Sequence, residues 1–124
     1  MKREIKSFAD IEQCRILSEF LPLESADCYH AVMLGIVVTS PYITKADDET
    51  LVPGYKGAIP CWSLSALLDI LPERTCVYKK EYRDGRVMYQ GVLNGSKDFF
   101  QADNPVDVCV EMLMKLNGVN KKEQ

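Results

Sequence analysis

The chain has 124 residues, 47% of them hydrophobic and 27% charged, with a formal net charge of −3. That length suits one domain, 1–124, and the balance is sufficient to bury a core without covalent staples. The mild acidity argues against a general attraction to nucleic acid or anionic lipid, and no apolar run approaches the ~20 residues that span a bilayer.

The first helix is expected over 8–21. Ser7 is placed to cap it, with Asp10 three residues on, and Phe8, Ile11, Cys14, Leu17 and Leu21 recur at helical spacing until Pro22 stops it. A strand follows over 28–39, "CYHAVMLGIVVT", rich in β-formers, with Gly35 marking a bulge or a break into two shorter strands. Residues 40–58 read as a long connection carrying the charge run "KADDE", with a short strand at 50–52 as one alternative. The second helix begins after Ser63, a good N-cap. Trp62 before it and Leu67 within it are spaced as a hydrophobic staple, Leu64, Leu67, Leu68 and Leu71 form its apolar stripe, and Pro72 ends it.

Residues 75–94 predict a β-hairpin with Asp84-Gly85 as a two-residue turn. In that register Arg83 faces Arg86 and Tyr78 faces Gly91. One face, taken as core, collects Cys76, Tyr78, Tyr82, Val87, Tyr89 and Leu93, while Val77, Lys79, Glu81, Met88, Gln90 and Val92 line the other. The last helix is expected over 104–117, capped by Asn104, with Pro105 in its first position, Asp107 near its positive end and Asn117-Gly118 at its close. A tail at about 118–124 should fray. The expected fold is therefore α+β, with elements in the order α-β-α-β-β-α. A small, mainly antiparallel sheet of three or more strands joins the hairpin to the 28–39 strand, and the helices pack on one face.

Five cysteines (Cys14, Cys28, Cys61, Cys76, Cys109) and one histidine, His30, carry what reactive chemistry the chain has. No C-x-x-C occurs, and the spacing fits no standard zinc module, so no metal and no cofactor is expected. Free thiols on apolar faces behave as small hydrophobes, which points to a reduced, cytoplasmic protein. The opening residues also lack the apolar stretch of a secretion signal. Cys28 and His30 lie two apart on a strand and share a face, so a small enzyme using that pair is one alternative. Adjacent Asp27 would point the other way, a poor orienter for the imidazole. "KADDE" lacks the glycine and alternation of a calcium loop, and "VPGYKGA" lacks the order of a phosphate loop. The hairpin interleaves Lys79, Lys80, Arg83 and Arg86 with tyrosines, so a single-stranded nucleic-acid binder is a second alternative. The expected register sends rings and charges to different places and counts against it.

The leading expectation is a non-enzymatic binding or interaction module with no catalytic residues. Candidate contact residues are Trp62, if exposed, Tyr42 and Tyr55 in the long connection, and Met112 and Met114 on a last helix whose apolar surface is wider than one core stripe needs. A homodimer or a host or phage protein is the expected partner. Two stretches, "WSLSALL" at 62–68 and "NPVDVCVEM" at 104–112, with the tyrosine-rich hairpin between them, resemble a family of small uncharacterised proteins encoded by phages and mobile elements of gut bacteria. The lead-in "LPLESADCYH" at 21–30 fits the same group. The resemblance implies a source and an architecture, and no catalytic residues.

Overall fold

The computed structural model describes residues 6–33, 36–37, 58–93 and 98–119. It is an α+β structure of three helices and six strands among these residues: α1 (Ile11–Leu17), β1 (Cys28–Met33), β2 (Ile36–Val37), β3 (Ala58–Cys61), α2 (Leu64–Ile70), β4 (Cys76–Glu81), β5 (Val87–Val92), β6 (Phe99–Ala102) and α3 (Pro105–Leu116). The chain divides into two compact units, Phe8–Ala66 and Leu67–Gln124 with Met1–Ser7, so that α2 begins in the first and finishes in the second.

In the first unit the helix starts at Ile11, three residues later than its periodicity suggests. Asp10 and Gln13 form a reciprocal capping box: the Gln13 backbone N–H donates to Asp10 Oδ1 at 2.8 Å, and the Asp10 N–H donates to Gln13 Oε1 at 3.0 Å. Residues before it are committed elsewhere. Phe8 bridges Ser63, and the Ala9 N–H donates to the Trp62 carbonyl at 2.9 Å. The expected 28–39 strand is split into β1 and β2, which pair antiparallel through Met33 and Ile36. β1 also pairs with β3 along Cys28–Ala31, giving the order β2-β1-β3. β3 contains Pro60, which cannot donate to a ladder and sits on an edge strand as that requires.

Between them β2 and β3 take up β1, so the expected single sheet joining it to the hairpin does not form. The hairpin instead gains β6, in the separate order β4-β5-β6. Its register differs from the expected one by a residue: Glu81 faces Val87, Tyr78 faces Gln90 and Val77 faces Gly91. The loop is three residues long. The Gly85 N–H donates to the Tyr82 carbonyl at 3.0 Å, the Tyr82 N–H donates to the Arg86 carbonyl at 2.9 Å, and Gly85 has φ +90°. This is a type I turn closed by a glycine bulge, and it avoids setting Arg83 directly opposite Arg86. Asp84 completes it by accepting from the Arg86 N–H at 3.0 Å and Nε at 2.9 Å. The Arg86 backbone N–H, with the guanidinium beside it, holds the Asp84 carboxyl below the usual carboxylate range.

α3 lies across β4, β5 and β6. A Cβ added to Gly91 would come within 2.5 Å of Val108 Cγ1 and 2.8 Å of Met112 Cε, so α3, and not the Tyr78 ring, covers this bare position. The caps of α3 are those its sequence predicts. The Asp107 N–H donates to Asn104 Oδ1 at 2.9 Å, and Pro105 opens the helix. Its close is a Schellman motif, with Gly118 at φ +72° donating to the Lys115 carbonyl and Val119 to that of Met114. Val106, Val108, Cys109, Val110, Met112, Leu113 and Met114 are all buried. Burying these side chains is worth about 25 cal/mol per Å2 of apolar surface removed from water.

Candidate functional site

The expected contact residues lie where they cannot serve as a surface, or outside the described residues. Trp62 is fully buried, its indole N–H donating to Ser25 Oγ at 2.9 Å in the 3-10 turn Leu23–Ser25. Met112 and Met114 are buried with Val106, Val108, Cys109, Val110 and Leu113, which accounts for most of the helix's wide apolar surface. Tyr42 and Tyr55 lie outside the described residues.

A different surface is open. Strand alternation and the observed register place Cys76, Tyr78, Lys80 and Tyr82 of the hairpin on one face with Arg86, Met88, Gln90 and Val92, joined by Phe99 and Gln101 of β6. This is the face opposite Gly91 and therefore opposite α3. Phe99 is 63% exposed and Tyr78 45%. Between the rings runs a polar relay: the Tyr78 hydroxyl donates to Gln90 Oε1 at 2.6 Å, and Gln90 Nε2 donates to Gln101 Oε1 at 2.7 Å. Toward the turn, Lys80 Nζ and Arg86 Cζ stand 5.4 and 4.7 Å from the Tyr82 ring centroid. The expected register had assigned Tyr78 and Tyr82 to the core, and the one-residue slip turns them outward with two cations.

In the first unit, Cys28 and His30 do share a face of β1, and they are buried at 0% and 1% exposure. Asp27 accepts from the Cys28 thiol at 3.5 Å, and also from the Ser63 N–H at 2.9 Å and the Ser63 hydroxyl, while Ser63 Oγ caps α2 by accepting from the Ala66 N–H at 3.2 Å. What joins Cys28 and His30 is two further cysteines. β3 sets Cys61 directly across from Cys28, and α1, packed on β3, brings Cys14. Both are fully buried, and the donor atoms of Cys14, His30 and Cys61 lie within 4.8 Å of one another. Cys14 and Cys61 Sγ both approach the Ala9 carbonyl, at 3.5 and 3.6 Å. The neighbouring thiols of Cys14 and then Cys28, with burial, push the Cys61 thiol far above its ordinary range. These are the described residues best suited to hold a metal. Spacing along the chain gave no sign of it, because the set is assembled from α1, β1 and β3 and only the C-x-H of β1 is local.

Among the described residues no helix is long and apolar enough to cross a membrane. No protein-family model, curated protein or solved structure matches the chain.

Proposed function

We propose that this protein is a non-enzymatic interaction module whose contact surface is the open face of the β4-β5-β6 sheet. The observation that carries this reading is the exposure of Phe99 and Tyr78 on a face that α3 leaves uncovered. Aromatic side chains at such a site bury large area on binding at little entropic cost and are the usual anchors of a protein interface. The partner is a protein, from a host or a phage, or a second copy of the chain. A phage or mobile-element origin and a reduced, cytoplasmic setting belong to the same reading.

The test compares the full-length chain with the Phe99→Ser/Tyr78→Ser double variant. Partner capture from cells carrying the element, and sedimentation over a wide concentration range, should both lose their signal in the variant while its circular dichroism stays unchanged. Capture that survives both substitutions would place the surface elsewhere.

Lys80 and Arg86 on the same face as two tyrosines favour a second reading, a stacking platform for single-stranded nucleic acid. It predicts oligonucleotide affinity that falls steeply with salt and is lost with Lys80→Ala. Salt-insensitive or absent binding removes it.

A further inference from the structure

The cluster in the first unit is more than a packed core. Five cysteines and one histidine are present in the chain, and four of those six side chains converge between α1, β1 and β3. Three buried thiols can pack as small hydrophobes, but the buried imidazole of His30 sets a nitrogen donor within 4.8 Å of the Cys14 and Cys61 sulfurs. We propose that Cys14, Cys28, His30 and Cys61 form a closed structural site for a tetrahedral, thiophilic divalent metal ion of the zinc class.

The geometry suits it. Zinc–sulfur bonds of about 2.3 Å imply a spacing between ligand atoms of roughly 3.8 Å in a tetrahedron. The donor atoms of Cys14, His30 and Cys61 already lie within 4.8 Å of one another and need to draw in by about 1 Å, which rotamer adjustment supplies, and Cys28, directly across from Cys61 on the neighbouring strand, is placed to turn in as the fourth ligand. Three thiols and one imidazole are a recurrent structural zinc set. All four residues are buried to 1% exposure or less, so no position is left for a catalytic water and the role is structural. The ligands come from three separate elements, so the ion would tie α1 to both strands. On binding, each of the three thiols releases its proton to solvent and its sulfur donates a lone pair to the ion, while neutral His30 donates through nitrogen. The centre then carries a net charge of −1.

The test uses the full-length chain, reduced and stripped of metal, titrated with zinc or cobalt(II). One equivalent of zinc should bind. The cobalt form should show the intense visible bands of a tetrahedral site together with sulfur-to-metal charge transfer. Zinc should shield Cys14, Cys28 and Cys61 from an alkylating reagent while exposed Cys76 reacts at the same rate with or without it. Cys14→Ser and Cys61→Ser should each lower zinc affinity by more than the roughly 10–100-fold lost when a residue that merely supports a ligand is changed. Cys76→Ser should leave it unaltered. Because the ligand variants can fail to fold, the shielding pattern in the unmodified chain decides. Absent zinc binding, an octahedral cobalt spectrum, shielding that does not follow these three cysteines, or a Cys28–Cys61 disulfide formed in preference to metal binding under reducing conditions would each overturn the proposal.

Discussion

The two units of this chain are built on opposite terms. Leu67–Gln124 has a twelve-residue helix with a buried apolar surface lying on a three-stranded sheet, and its interior includes Val106 and Leu113, with Val108 and Met112 over Gly91. Among its described residues, Phe8–Ala66 has a seven-residue helix, short strands and buried side chains that include three thiols and an imidazole as well as Trp62 and Leu17. A seven-residue helix is marginal by itself and calls for another source of stability. The first unit therefore depends on a tie between its elements and the second on surface burial, and each should respond to a different perturbation.

The largest expected effect is on the first unit. Removing metal with a strong chelator under reducing conditions should cost several kcal/mol there, since binding free energy of a structural ion is folding free energy. The measurement is thermal unfolding followed by Trp62 fluorescence, the chain's single tryptophan. In the second unit, Leu113→Ala should destabilise by about 2–5 kcal/mol, read by urea unfolding, with zinc affinity untouched. Gly91→Ala should cost about 1–3 kcal/mol. Met112 can swing aside from the new Cβ, but the β-branched Val108 cannot. Val108→Ala should therefore cost less in the Gly91→Ala background than alone, a coupling that a double-mutant cycle measures. Asn104→Ala should cost about 1 kcal/mol by removing the α3 cap.

The smallest effect is a pH dependence. Burial pushes the Cys109 thiol up to about 12, above the ~8.5 of an unfolded chain. Its contribution to stability is complete below pH 8.5 and is lost as pH rises toward 12, because only the unfolded state releases the proton in that window. The denaturation midpoint should fall above pH 9 in the parent chain and fall less in Cys109→Ala.

The same contrast explains what could be read from the sequence. The α+β class, the hairpin, the Ser63 cap and both ends of α3 were readable because each rests on neighbours within a few residues. Asn104-Pro105 and Gly118 act through local backbone geometry, which does not wait for tertiary structure. The helix start at Ile11 was misplaced because two caps competed locally, and Asp10 with Gln13 satisfies two backbone donors where Ser7 would satisfy one. β3 and β6 were missed because four-residue strands carry little pattern, and Pro60 disguised one of them. The register slip came from reading Asp84-Gly85 as a two-residue turn when Gly85 serves as the bulge. That error, together with the missed β6, hid the outward face carrying Tyr78 and Phe99. The thiol cluster could not be read at all, since its members are separated by the whole length of the unit and only folding brings them together.

Native-state hydrogen exchange of the full-length chain, with zinc and with a chelator, tests the contrast most directly. Metal removal should strip protection from the paired amides of β1 and β3 and from α1, while those of β5 and α3 keep theirs. Equal loss in both units, or none in either, would contradict a fold in which one half is held by an ion and the other by its apolar core.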